Sequence, residues 1–523
     1  MYRGPRRDRG SRPHSGARLV ALACVAILLL ATSAPLDAPY LDARLHTQFD
    51  NAWFTVMARN GLRNGDARAQ SGVTLNRYTR WAVRDGEPTY YTHHPFLLKA
   101  AFQQYARFAG TGEAAARTFA LLISFGIAAG ALLLVQRTTG SLGAGVAAAL
   151  TLASVPVFSA YAATLKFESD GMLAAVAFLL AVVRAHSRPD RRLLLVAVAA
   201  AAAVLAHWSG ALAVALTVGL LLLHAVRRSA PVRVGVVGAA VVGLAVGTAT
   251  LAAAMAWLHR GIPAAWRSLT GGFAARAAVA GVPLDAWSAR QWLYLRENFS
   301  LPLLAAAVAA TVLLVLRRRD RARIDGELGD ATSPWLLRVA TLATLATGVV
   351  WVIAFRQGSY VHSYWQLWLA LPAAFAAGEV AVRVRDDRRA AGVAAVAALS
   401  LAVYLQSANA AARRDRAAMQ LGTADDVALL TSLREVAFKR MVFLATTRTP
   451  LNEWFDGPGF PYYTDRPVVI ASASERLAPG DLVLVLRQAE QARVAAALAA
   501  RFGVGFADER CGRRLCAYTV VRP

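Results

Sequence analysis

The chain has 523 residues, 57% of them hydrophobic and only 17% charged, which excludes a disordered protein. Long runs of Ala, Val and Leu near the length of a bilayer core exclude a string of soluble mixed domains. The formal charge of +25, from 57 basic against 32 acidic residues, would suggest nucleic acid in a soluble chain. Beside such apolar runs it reads instead as anchors facing anionic lipid, with the bilayer and not nucleic acid as the partner.

Residues 1–18 are basic and rich in Gly and Pro, and read as a disordered cytoplasmic tail. The apolar run 19–34 is either a signal peptide or a first membrane helix, and the many runs after it favour a retained helix. Further runs fall at 118–135, 143–161, 172–183, 193–206, 211–225, 234–257, 301–316, 336–354, 365–382 and 391–405. The expected fold is mainly α, a polytopic transmembrane bundle of about eleven spans. The fifth and sixth runs meet at 207–210 and form either two spans or one long or re-entrant element.

Orientation follows from the short loops. Arg184, Arg188, Arg191 and Arg192 share one side with Arg227, Arg228 and Arg233, with the run Arg317 to Arg323, and with Arg383, Arg385, Arg388 and Arg389. Every second loop is basic, which predicts a multi-pass protein of a bacterial cytoplasmic membrane with its N-terminus inside and its C-terminal region outside. The outer segments are then 35–117, 162–171, 207–210, 259–300, 355–364 and the tail after 406. Chemistry is expected on this more elaborate side.

In the first outer stretch, Asp50 precedes Asn51, Trp53 and Phe54, and Ala58-Arg59-Asn60 follows. The spacing of Trp53, Phe54 and Met57 predicts an interfacial helix. Asp50 is either its N-cap, with Trp53 at N3, or a functional acid. Tyr90-Tyr91-Thr92-His93-His94-Pro95 comes next, with Pro95 opening a helix. His93 and His94 suit a phosphate or nearby carbonyls, and adjacent histidines converge poorly on a single metal. Arg117 opens the second span, placed either to snorkel to headgroups or to hold a phosphate.

The connection Lys166-Phe167-Glu168-Ser169-Asp170 sets a cation and two carboxylates beside the bilayer, either as a solvated loop or as a site for phosphate or a metal. Lysine is otherwise confined to Lys99 and Lys439. The turn 355–364 holds Arg356, His362 and Tyr364, followed by Trp365; Tyr and Trp there are ordinary belt residues, while Arg356 and His362 suit an anionic headgroup.

The tail, 408–523, reads as a small extracytoplasmic α/β domain. Strands are expected at 441–446, 467–471 and 481–487, with a helix at 488–501 stopped by Gly503. Cys511 and Cys516 lack a second ligand pair for a metal, and a disulfide is the better reading outside the cell. Cys24 reads as a small apolar residue.

Asp50, Ala58-Arg59-Asn60, His93-His94-Pro95 and Arg117 together resemble the GT-C superfamily of membrane glycosyltransferases, in the branch of protein O-mannosyltransferases and lipid A aminoarabinose transferases. The outer turn with His362, Tyr364 and Trp365 and the segment Phe460-Pro461-Tyr462-Tyr463-Thr464-Asp465-Arg466-Pro467 share the likeness. The family often has Asp-Glu where this chain has Asp50-Asn51, and Pro-Pro where it has Pro95-Phe96.

The resemblance implies a catalytic domain over 19–407 that moves a sugar from a polyprenyl-phosphate donor to a hydroxyl of an envelope glycan, lipid or protein. It makes Asp50 the base for the acceptor hydroxyl. It makes Arg117, Lys166, Arg356, His362 and Tyr364 the donor phosphate and lipid contacts, and Arg59, Asn60, His93, His94, Glu168 and Asp170 the substrate contacts. The one cofactor it leaves room for is a divalent cation at Glu168 or Asp170. A transporter or lipid flippase would place charges at mid-span, whereas the polar residues here cluster at span ends. His207 is the one residue that such a reading has to work with. A non-catalytic membrane subunit is the third reading.

Overall fold

A computed structural model describes residues 15–32, 46–63, 94–187, 192–227, 232–277, 281–299, 304–305, 307–308, 334–385, 424–444, 459–465, 468–471, 476–486, 491–513 and 515–522. Helices dominate it, and a small sheet lies near the C-terminus.

The N-terminal half runs α1 (Ser15–Thr32), α2 (His46–Arg63), α3 (Leu97–Ala109), α4 (Glu113–Thr139), α5 (Leu142–Ser154), α6 (Pro156–Tyr161) and α7 (Phe167–Ser187). α8 (Leu193–Ala206), α9 (Trp208–Val226), α10 (Val234–Leu258), α11 (Ile262–Ala277) and α12 (Leu284–Phe299) follow, then α13 (Pro334–Ala354) and α14 (Arg356–Val361). A 3₁₀ segment, Ser363–Leu369, leads into α15 (Ala370–Arg385).

Among the described residues, five helices are long and apolar enough to cross a membrane: Glu113–Thr139, Trp208–Val226, Val234–Leu258, Trp335–Ala354 and Ser363–Val382. Three shorter apolar helices accompany them at Gly16–Ala31, Leu142–Ser154 and Leu193–Ala206. The expected runs 301–316 and 391–405 lie outside the described residues, apart from isolated positions in the first. Leu194, Val198, Val241, Val242 and Val246 on α8 and α10 expose apolar side chains, as helices facing hydrocarbon do.

Three local features depart from the sequence expectation. The run 143–161 is not one span, because Pro156 cannot donate to the helix and the chain turns extended at Val155. α7 starts at Phe167, five residues before its apolar run, so Glu168 and Asp170 ride on its first turn. The fifth and sixth runs are two helices, split where His207 is fully extended, with φ −162° and ψ 153°.

The tail holds α16 (Ala424–Ser432), β1 (Met441–Leu444), α17 (Gly459–Thr464), β2 (Val468–Ala471), β3 (Leu482–Leu486), α18 (Gln491–Phe502), β4 (Gly505–Cys511) and β5 (Leu515–Val521). The strand order is β2-β1-β3-β5-β4. β1 pairs in parallel with β2 and β3, whereas β5 pairs antiparallel with β3 and β4. Parallel neighbours need a crossover, and the one from β1 to β2 carries α17. Gly503, in the left-handed region at φ +63°, ends α18. A disulfide joins Cys511 to Cys516 across the β4–β5 turn.

Candidate active site

Three segments far apart in the chain build one site. The first is α2. It begins at His46, so Asp50 lies within the helix and not at its N-cap. The neighbouring Asn51 is buried and turned toward the turn between α6 and α7. Its Nδ2 donates to the Ala163 carbonyl at 3.0 Å, and its Oδ1 accepts the Leu165 N–H at 2.8 Å. These two bonds hold the backbone of 163–165, and the next side chain, Lys166, donates from Nζ to Asp50 Oδ2. Lys166 is 2% exposed and Asp50 16%.

The third segment is the 3₁₀ stretch after α14. It sets the Tyr364 ring under the Lys166 ammonium, 3.4 Å from Nζ to the ring centroid, while Tyr161 lies at 5.0 Å on another side. The two tyrosines meet edge-on at 5.6 Å, and His362 stacks on Tyr364 at 5.1 Å. A cation between two aromatic faces and one carboxylate is stabilised by both kinds of contact.

The solvated-loop reading of 166–170 is overturned. Lys166, Glu168 and Asp170 are all buried. Burial pushes the Lys166 ammonium below its ordinary range, and the Glu168 carboxylate pulls it back up. Both acids on the first turn of α7 meet the positive end of its dipole. Asp170 Oδ2 is buried and meets no donor among the described residues.

A second polar group packs against the first through Phe167. His94 stacks on Phe167 at 4.3 Å and on His207 at 5.0 Å. The His207 Nδ1 accepts the Ser209 N–H at 3.3 Å, so the ring carries its proton on Nε2 and donates it to His94 Nδ1 at 3.1 Å. Ser209 Oγ lies 2.5 Å from the same Nδ1. Burial pushes His207 down to about 3, which keeps it neutral. Lys99 donates to the His94 carbonyl at 3.1 Å, 5.5 Å from the Phe167 ring centroid. Burial pushes its ammonium down to about 7.

Arg356 sits over Trp287, 5.9 Å from the ring centroid. Arg59 turns to the tail, donating to the Tyr462 carbonyl at 3.0 Å. Asn60 and Arg117 are buried, Arg117 one turn into α4. His93 lies outside the described residues. Among those residues, the one group of three metal-type ligands is Glu509, Cys511 and Cys516, and its two sulfurs are tied in the disulfide. Among the described residues, no third such ligand joins Glu168 and Asp170 to complete a group.

Sequence reasoning missed Arg276 on α11, whose charge acts on both Glu168 and His207. Nothing in the local pattern of 259–300 singles it out. It also took Asn51 only as a missing acid, although a buried side-chain amide beside a candidate base implies a backbone partner.

Residues 93–252 match the sequence model of the family described as dolichyl-phosphate-mannose-protein mannosyltransferase. That stretch includes His94, Arg117, Lys166, Glu168, Asp170 and His207, and ends before Tyr364. No curated protein matches in sequence. Among solved structures, ArnT from Cupriavidus metallidurans bound to undecaprenyl phosphate is similar with a TM-score of 0.62 at 13% identity, covering 97% of this chain and 98% of that one. ArnT of the same organism in the apo state gives 0.46 at 13% identity, with 96% and 97% covered. Residues 93–252 thus carry the sequence pattern of that family, and over nearly the whole chain the fold is similar to that of ArnT.

Proposed function

We propose that the protein is an inverting glycosyltransferase that moves a sugar from a polyprenyl-phosphate carrier to a hydroxyl acceptor at the outer membrane face. The observation that carries this reading is the contact between Asp50 and the buried Lys166, whose ammonium lies over the Tyr364 ring. It puts a proton acceptor and a phosphate-binding cation within one contact of each other, which is what a single displacement at an anomeric carbon needs.

The reaction asks two things of the protein. The acceptor hydroxyl must lose its proton as its oxygen bonds to the anomeric carbon, and Asp50 takes that proton. The bond from the anomeric carbon to the phosphate oxygen breaks with its electron pair on the phosphate, and a cation must meet that charge. Lys166 fills this role, and its exchange of Asp50 for the phosphate would release the carboxylate to act as base. Tyr161 and Tyr364 fix the ammonium on its other sides. Glu168, Asp170, His94 and Arg276 form the polar surround that would hold the sugar, and a divalent cation, where one is used, would sit at Glu168 or Asp170. The ArnT structure with undecaprenyl phosphate supports a polyprenyl-phosphate carrier for this fold.

Among the described residues, Lys99, Arg117, Lys166, Glu168 and Asp170 are buried at helix starts and turns and not in the middle of the long apolar helices, which favours an interfacial enzyme over a transporter. The test is turnover of a radiolabelled polyprenyl-phosphate sugar by the purified protein. Asp50→Ala is expected to lose about 10²–10⁴-fold in rate. Equal transfer by wild type and Asp50→Ala would sink the assignment of the base, and no consumption of any lipid-linked sugar with any acceptor would sink the enzyme reading.

A further inference from the structure

The segment 459–465 reaches out of the tail and grips two helices of the membrane domain. Arg63 donates to both carboxylate oxygens of Asp465, at 2.8 and 2.9 Å, and Arg59 lies 3.7 Å from the same carboxylate. Arg59 also donates to the Tyr462 carbonyl at 3.0 Å and lies 4.7 Å above the Tyr462 ring. Burial pushes the Arg59 guanidinium down, and Tyr462 and Asp465 oppose that. On the other side, the Tyr462 and Tyr463 hydroxyls donate to the two oxygens of Glu113, at 3.0 and 2.8 Å. Arg434 fastens the segment from within the tail, donating to the Tyr462 and Tyr463 carbonyls.

Two features set this apart from an incidental contact. Asp465 holds a left-handed backbone, φ +53°, a conformation that Asp tolerates better than most side chains but still adopts at a cost. The gripped helices are also the ones that carry the candidate chemistry. α2 has Asp50 near its start and Arg59 and Arg63 near its end, and α4 has Glu113 one turn before the buried Arg117.

We infer that the Tyr462–Asp465 clasp is a positioning element for transfer: the tail domain fixes α2 and the start of α4, and through α2 it sets where Asp50 stands against Lys166. The inference rests on the proposed role of Asp50. Asp50 and Arg63 are thirteen residues apart, roughly 20 Å along a helix. A pivot of about 5° at the clasped end would move the far end by roughly 2 Å. Displacement on that scale is enough to cost about 10²-fold in a reaction that depends on alignment. Asp465 is accordingly a positioning residue and touches no reacting atom.

The test uses the full-length protein in detergent or nanodiscs and reads two things. Hydrogen–deuterium exchange across 46–63 reports the hold on α2, and steady-state turnover of a polyprenyl-phosphate sugar reports kcat and donor KM. Asp465→Gly keeps the left-handed backbone and removes the carboxylate. It is expected to speed exchange in the second half of α2 by roughly tenfold or more, and to lower kcat by about 10–100-fold with donor KM nearly unchanged. Asp465→Asn keeps one acceptor and tolerates the same backbone, and is expected to restore part of both. Tyr463→Phe removes one bond to Glu113, serves where Asp465→Gly does not fold, and is expected to shift kcat in the same direction by a smaller factor. Wild-type exchange and wild-type kcat in the folded Asp465→Gly variant, or in Tyr463→Phe where that variant does not fold, would overturn the inference. A fall in stability with kcat per folded molecule unchanged would also overturn it, since that is the signature of a merely structural tie. If wild type consumes no donor, the proposed function fails, while exchange in α2 still decides whether the clasp holds the helix.

Discussion

Leu165 donates its backbone N–H to Asn51 Oδ1 at 2.8 Å, and this bond, with the one from Asn51 Nδ2 to the Ala163 carbonyl, ties α2 to the turn that presents Lys166. Asn51 therefore does work that a carboxylate could not. An acid would accept from Leu165 but would face the Ala163 carbonyl oxygen with no proton between them. Asn51→Asp is expected to lower stability by about 1–3 kcal/mol, the cost of leaving a buried carbonyl unpaired. Asn51→Ala loses both bonds and should cost at least as much. Thermal unfolding in detergent reads the stability, and turnover of the lipid-linked sugar should fall with it because Lys166 loses its backbone support. Asn51→Asp with wild-type melting and wild-type turnover would refute this account.

Tyr364 offers Lys166 a ring face, not its hydroxyl, at 3.4 Å from Nζ to the centroid. The substitution Tyr364→Phe retains that face and is expected to leave transfer within about threefold of wild type. Tyr364→Ala removes a contact worth about 0.5–2 kcal/mol, or about 2- to 30-fold in rate or donor affinity. Side-by-side kinetics of the two variants decide the point. Equal losses in both would assign the role to the hydroxyl instead.

The bundle was legible because runs such as 234–257 and 336–354 carry their own signal. Bilayer-length apolar sequence is helical wherever it is placed, and α10 and α13 coincide with those runs to within a few residues. Breaks inside runs were less legible, as the turn at Val155–Pro156 shows. The site was legible only in part. Lys166 stands out as one of three lysines among many arginines, and its neighbours Glu168 and Asp170 lie in the same few residues. Its partners do not. Asn51 meets residues 112 and 114 positions away, and Tyr462 meets Glu113 across 349. Local periodicity holds no record of pairings at that distance. Arg276 was invisible for the same reason.

Lys99 gives a pH dependence whose sign follows from its burial. Its ammonium titrates near 10.5 when exposed and is pushed down to about 7 in the fold. Between those values the unfolded chain binds a proton that the folded chain does not, so stability should rise with pH across that window. One proton corresponds to about 1.4 kcal/mol per pH unit. Below the folded value both states are protonated, and the cost of burying the charge stays at its full size. Lys99→Met gives up the bond to the His94 carbonyl but removes the titration. The apparent Tm of wild type relative to Lys99→Met is therefore expected to climb from pH 7 to pH 10 and to be flat below. A difference that falls with rising pH would show that Lys99 is buried charged and stabilised.

Gly243 and Gly247 on α10 pack against the backbone of α8. A Cβ at Gly243 would lie 2.1 Å from the Ala197 carbonyl oxygen, and one at Gly247 would lie 2.9 Å from Ala201 Cα. Neither obstacle is a side chain that can swing away, so the helices must separate to admit a methyl group. In a membrane, helix association depends on such close approach, because lipid offers no hydrophobic force to replace it. Gly243→Ala is expected to cost about 1–3 kcal/mol in the manner of an overpacked core. At Gly238, on the same helix, a Cβ would meet no atom of a neighbouring element within 4 Å. There the added methyl meets open space, and Gly238→Ala should be neutral or stabilising by up to about 1 kcal/mol. The pair separates packing from helix propensity, since both variants change propensity alike and only one meets backbone. Similar melting temperatures for the two would mean that α8 and α10 do not approach as closely as these distances require.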